Sequence, residues 1–156
     1  MIEPRRLFDC VDFQLQKFPR KDMLAAKVNG KWISHSTEEV KEIVTRFSAG
    51  LLQLGVSAND GSDEGTDKIA IISNNRPEWV FTDLAVQQTG AVLVPIYPTT
   101  NANELQFILN DALVKYIFFN GSFYIFQLLN VCNRGPVHHF CPVIGIFYFI
   151  KRKNIL

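Results

Sequence analysis

Between residues 68 and 118 the chain alternates three short apolar runs, KIAII, AVLVPI and VKYIFF, with two stretches whose apolar positions recur every three or four residues. Val/Ile-rich runs of this length read as buried on both faces. Separated by helical periodicity, they predict parallel strands joined by crossover helices. The expected strands span 68–72, 91–96 and 114–119. Pro77, acceptable at a first helical position because its missing N–H would be unpaired there, opens a helix through Trp79, Leu84, Ala85 and Gln88 to Gly90. Asn101 and Glu104 form a reciprocal cap for a second helix with Leu105, Ile108, Leu109 and Ala112 inward.

Upstream, residues 4–18 read as a helix, with Leu7, Phe8, Val11, Leu15 and Phe18 at three- and four-residue spacing and Pro19 as its stop. Asn29-Gly30 between MLAAKV and KWISH predicts a β-hairpin at about 23–35. Ser36 and Glu39 make a capping box for a helix from Thr37 to about Leu54. Its inner face is Val40, Ile43, Val44, Phe47, Leu51 and Leu54, and Gly55 supplies a left-handed end. The expected class is therefore α/β: a helix, a β-hairpin and a helix preceding a parallel βαβαβ unit with right-handed crossovers. Trp79, Phe81 and Phe107 are expected to pack as helix-on-sheet core. Three parallel strands without further neighbours would leave an apolar edge unpaired, which predicts aggregation or poor folding.

Composition divides the chain. Residues 1–111 hold all 15 acids and 11 of the 16 bases, whereas 112–156 hold five bases, no acid and 10 of the 19 aromatic side chains. We therefore read 1–118 as one domain and 119–156 as a divergent aromatic and basic tail. Three cysteines without regular spacing do not describe a secreted disulfide framework, and MIEPRRLFDC lacks the apolar stretch of a secretory signal. A cytoplasmic protein is expected. The apolar run from 143 to 150 is far shorter than the ~20 residues that span a bilayer, so no transmembrane segment is expected.

The chemistry-bearing residues form no strong constellation. The turn after the first strand, Ser73-Asn74-Asn75-Arg76-Pro77, has no glycine to let backbone approach a phosphate, and Pro77 removes a donor. Arg76 is read as facing water, without a role. Residues 57–67 read as a mobile polar loop. Asp60, Ser62, Glu64 and Gly65 fall at positions one, three, five and six of a calcium loop, but position twelve is Ile71, where a bidentate acid is required. Of the three histidines, His35 is read as a surface residue beside a helix cap. Cys132, His138, His139 and Cys141 lie within ten residues, yet their spacing fits no zinc pattern, because adjacent histidines do not easily face one tetrahedral ion. Nucleic-acid binding is not expected, since 1–111 are net acidic and Lys151-Arg152-Lys153 is too short a basic run.

The run KIAIISNNRPEWVFTDLAVQQTGAVLVPIYPT resembles the N-terminal subdomain of AMP-forming long-chain fatty acyl-CoA synthetases, within the adenylate-forming superfamily. The similarity extends upstream through the stretch from Trp32 to Val40, with His35 where an aromatic is common, and downstream through ELQFILNDALVKYIF. It covers roughly residues 5–118. The resemblance implies a two-step ligase: ATP and a fatty acid give an acyl-adenylate and pyrophosphate, and the thiol of coenzyme A then displaces AMP. The family's phosphate loop, metal-proximal acid, ribose-binding aspartate and mobile lysine have no counterpart in these residues. No catalytic, cofactor-binding or metal-binding residue is therefore assigned, and ATP, magnesium, fatty acid and coenzyme A are expected of the full-length family only.

From about Gly121 the text departs from that family, and its Phe, Tyr, Ile, Asn and Lys content is what AT-rich codons write. The expectation is a truncated product whose tail is read in a shifted frame and which is inactive alone. Two alternatives stand beside it. One is a short protein whose tail packs on the exposed sheet. The other is a non-enzymatic interaction module that binds a partner through its sheet edge or tail.

Overall fold

The computed structural model describes residues 3–120, 137–140 and 147–151. Two compact units form: the chain up to Val56 together with Asn75–Thr89, and Ser57–Asn74 together with the chain from Gly90 onward.

The first unit holds helix α1 (Asp9–Lys17), a hairpin of β1 (Leu24–Val28) and β2 (Lys31–His35), helix α2 (Thr37–Gln53) and helix α3 (Pro77–Gln88). Helix α1 begins later than the periodicity suggests. The Asp9 carboxylate accepts the Arg5 and Arg6 amides, so residues 5–8 form a capping turn outside the helix. The hairpin pairs antiparallel with Val28 opposite Lys31, and its turn residues Asn29 and Gly30 have φ of 50° and 81°, the left-handed pair that an Asn-Gly turn supplies. At the start of α2 the Ser36 side chain accepts the Glu39 amide at 3.2 Å while Glu39 returns to the Ser36 amide at 2.7 Å, so the capping box is complete. Val40, Val44, Phe47 and Leu51 are buried, whereas Ile43 and Leu54 at the margins of the same stripe are half-buried. Gly55, with φ of 77°, lets the Val56 amide reach back to the Leu51 carbonyl at 3.0 Å and close the helix.

The second unit is a sheet with helix α4 (Ala102–Asp111) on one face. Its strands are β3 (Lys68–Ile72), β4 (Val92–Ile96), β5 (Tyr116–Phe119), β6 (Val137–Phe140) and β7 (Phe147–Lys151), in the order β4-β3-β5-β7-β6. Strand β3 pairs parallel with both β4 and β5, as the alternating pattern requires. Ala70, Ile72, Ile96, Leu105, Leu109, Val114, Ile117 and Phe119 close one core, with Val94, Ile108 and Ala112 at its margin. Full burial of side chains of this size contributes roughly 1.5–3 kcal/mol each, so this cluster carries the unit. Ile69, Ile71, Tyr116 and Phe118, which alternate with core residues along β3 and β5, are also buried.

Three expectations need correction. The outer margin of β5 is not an open edge: β7 pairs with it antiparallel, Phe119 opposite Tyr148, and β6 follows beyond. Phe107 is not core, because it falls on the outer face of α4 and is 69% exposed. Residues 57–67 are not a loose loop. The Asn59 side chain donates to the Gly65 carbonyl at 2.8 Å, the Ser57 amide to Asp67 at 2.9 Å and the Gly65 amide to Ser62 Oγ at 2.9 Å. Side-chain bonds to backbone replace the apolar core that the composition lacks there.

Among the described strands β4 is the outermost on its side of the sheet, and this margin is guarded. The Val92 amide donates to the Asp67 carbonyl at 2.9 Å, and backbone groups alternate in direction along a parallel strand. Val92, Val94 and Ile96 therefore turn toward β3, and Leu93 and Pro95 turn outward. Proline has no N–H, so the outward row of β4 offers only the Leu93 donor.

Candidate functional site

Sheets of this kind place ligands in the loops that leave the carboxyl ends of their strands. Among the described residues of the second unit, that rim consists of Ser73 and Asn74 after β3, residues 97–101 after β4 and Asn120 after β5. Ser73 is buried and its hydroxyl donates to the Asn74 carbonyl at 2.9 Å. Tyr97 is 82% exposed, and its carbonyl accepts the Thr100 amide at 3.0 Å in a turn that delivers Asn101 to the start of α4. Asn101 Oδ1 then accepts the Glu104 amide at 3.0 Å. The Asn120 amide donates to the Ile72 carbonyl at 3.2 Å, continuing the β5 ladder past the strand. These positions carry hydroxyls and amides, with no carboxylate, imidazole, ammonium or guanidinium group. Such a set can form hydrogen bonds, but Tyr97 is its one titratable side chain.

A cluster of charged and polar groups lies at the opposite end of the strands. Asp67, just before β3, accepts Lys115 Nζ at 2.8 Å, the Ser57 amide at 2.9 Å and the Asn59 side chain at 3.1 Å. Burial pushes this carboxyl up, but the bonds from Lys115, Ser57 and Asn59 together outweigh it and hold it below its ordinary range. The Lys115 amide also donates to the Lys68 carbonyl at 2.8 Å. Asp67 thus joins the amino ends of all three parallel strands. Sequence reasoning placed it in a mobile loop, and nothing local in DEGTDK distinguishes it from its acidic neighbours.

The residues singled out in the sequence are dispersed. Arg76 does not simply face water: at the start of α3 its guanidinium is paired with Glu78, with Nε 2.7 Å from Oε2. His35, at the root of the hairpin, is half-buried and meets the Phe81 ring edge-on at 5.2 Å between centroids. Phe81 is therefore core of the first unit. Asp60 bonds Ser62 through both amide and hydroxyl, at 3.0 and 2.8 Å, and those bonds hold its carboxyl low. Position twelve of the calcium pattern, Ile71, is fully buried in β3 and presents nothing to a cation. Among the described residues no group of three His, Cys, Asp or Glu side chains comes together. Cys132 and Cys141 lie outside the described residues, and His138 and His139 are placed only as backbone of β6. Among the described residues no helix is long and apolar enough to cross a membrane.

One hollow opens at the start of α1, lined by Glu3, Arg5, Arg6, Asp9 and Asp12. Three of these charges are paired: Arg6 bonds Asp9 at 2.9 Å, and Asp12 is paired with Lys41.

Known proteins agree with this architecture. The model of the family described as AMP-binding enzyme matches residues 11–144, past the boundary at 118 that the sequence pattern suggests. The long-chain-fatty-acid–CoA ligase FadD15 of Mycobacterium bovis is 32% identical over 91 residues, which is 58% of this chain and 14% of the relative. The mitochondrial medium-chain acyl-CoA ligase ACSF2 of Rattus norvegicus is 29% identical over 126 residues, 81% of this chain and 19% of the relative. A solved structure assigned as a long-chain-fatty-acid CoA ligase of Rhodopseudomonas palustris CGA009 superposes with a TM-score of 0.63 at 27% identity, covering 80% of this chain and 29% of that one. The chain thus spans less than a fifth of the length of these two curated relatives. With the parallel sheet, the hairpin and the capped helices all in the expected order, and the family match spanning most of its length, this chain belongs to the AMP-binding enzyme family.

Proposed function

We propose that this chain supplies the scaffold of the amino-terminal subdomain of an AMP-forming fatty acyl-CoA ligase and holds none of the groups that act on the acyl-adenylate. The reaction of the whole enzyme would join a fatty acid to the α-phosphate of ATP, expelling pyrophosphate, and then transfer the acyl group to the thiol of coenzyme A. Charge building on the α-phosphate needs magnesium and positioned donors. The residues at the carboxyl rim do not fit that task. Among the described residues they offer no carboxylate to a magnesium ion. In the first unit, α3 opens on Pro77, which lacks an amide, and the guanidinium of Arg76 is paired with Glu78. No step of the reaction is therefore assigned to this chain. The single observation that carries the reading is the family match joined to uncharged side chains at the described positions of the rim. A cytoplasmic setting belongs to the same proposal, supported by an odd number of cysteines without disulfide spacing.

Pyrophosphate exchange into ATP, measured with purified chain, magnesium and a panel of fatty acids, tests it. The expected result is exchange no greater than with protein omitted. Acyl-dependent exchange would place catalytic groups in this chain and end the scaffold reading.

A further inference from the structure

The hairpin of β1 and β2 exposes large apolar side chains on both of its faces. Val28 is 45% exposed, Ile33 47% and Trp32 70%. At the root, Leu24 opposite His35 is half-buried, and His35 is held against Phe81. At the tip each apolar residue faces a lysine across the ladder: Val28 pairs with Lys31 and Trp32 with Lys27. No acid occurs from Met23 to Thr37. A folded hairpin that keeps tryptophan, isoleucine and valine in water on both faces loses apolar burial it could have had, and this pattern marks a surface meant for something else.

We propose that this tip docks on a lipid surface bearing anionic headgroups. The cross-strand register gives the reason. Tryptophan, with an apolar body and one N–H, suits the boundary between acyl chains and headgroups. The lysines beside Val28 and Trp32 lay their methylene stems along the apolar layer and their ammonium groups among the phosphates. A protein groove would cover one face of a hairpin, whereas a fluid interface accepts a wedge that is apolar on both. The proposal rests on the hairpin alone and does not depend on the ligase reading.

The test uses the full chain with Trp79→Phe, so that Trp32 is the one remaining tryptophan. Vesicles of phosphatidylcholine with phosphatidylserine, and of phosphatidylcholine alone, are compared by co-sedimentation and by tryptophan emission. The expected result is sedimentation with the anionic vesicles, a blue shift of Trp32 emission on binding, and weakening by added salt. Lys27→Ala and Lys31→Ala should each weaken binding about fivefold. In the otherwise wild-type chain, Trp32→Ala should abolish sedimentation without changing the circular dichroism spectrum. The proposal is overturned by absent sedimentation, by equal binding to both vesicles, or by undiminished sedimentation of Trp32→Ala. An emission shift that follows protein concentration in vesicle-free buffer also overturns it, since a second copy would then be the occupant.

Discussion

The Asp67 carboxylate lies 2.8 Å from Lys115 Nζ, 48 residues away in sequence, and the same residue's carbonyl accepts the first amide of β4. One aspartate therefore sets the starts of three parallel strands whose register no turn could fix, because parallel neighbours are joined by long connections. Antiparallel hairpins such as β1-β2 need no such device.

Replacing Asp67 with asparagine keeps the shape and removes the charge. The loss of a charge-assisted bond in a site that is mostly shielded predicts about 1.5–3 kcal/mol of destabilisation, read as a lower urea midpoint. The pH dependence has a definite sign. Asp67 is held below its ordinary value in the folded chain, so its contribution is present above that ordinary value and disappears as pH falls through the folded one. Acid titration of stability should be shallower in Asp67→Asn than in the parent below about pH 4. Equal slopes would show that another group carries the acid sensitivity.

Ser36→Ala removes the acceptor for the Glu39 amide and breaks one arm of the capping box. The expected cost is about 1 kcal/mol, measured by thermal or urea unfolding. Ser36→Asp should recover most of it, because aspartate also accepts that amide and suits the positive end of the helix dipole.

Leu113 has φ of 50° and is 67% exposed, at the turn where the Val114 amide reaches the Leu109 carbonyl at 3.1 Å. This is the closure that Gly55 provides after α2, made here with a leucine in a conformation that costs an L-residue about 1–2 kcal/mol. Leu113→Gly should therefore raise stability by about 0.5–1 kcal/mol, the gain being reduced by glycine's freedom in the unfolded chain. A fall in the unfolding midpoint would contradict the assignment.

Pro95 turns its nitrogen to the outer side of β4 and withholds a donor there. Pro95→Val would complete a row of outward amides on an apolar strand, so the variant should self-associate at protein concentrations where the parent does not. Sedimentation velocity across a concentration series gives the answer. Unchanged behaviour would mean that the margin is blocked by something other than the proline.

Short-range features were legible from the sequence because their physical causes are short-range. The Asn-Gly turn, the Ser36–Glu39 box, Gly55 and the three strand runs each depend on residues within a few positions, and each was found where the spacing put it. Phe107 shows the limit. A helix ten residues long carries apolar side chains on more than one face, and which face is inward depends on where the sheet lies. Arg76 shows it at the start of α3: the sequence gives its charge but not its pairing with Glu78. The pairing of Asp67 with Lys115 at the amino ends of the strands was not legible, since the two meet only after β3 and β5 have paired.

The sequence by itself determined the class of the fold, its order of elements and the family to which it is related, because periodicity, caps and turn residues act locally and survive in one dimension. The tertiary structure alone decided that β7 would cover the β5 margin, that Asp67 would hold the strands in register and that Pro95 would face outward. Each of these rests on which backbone groups remain unpaired once strands lie side by side, and an unpaired group has no signature in the sequence until its neighbour is known.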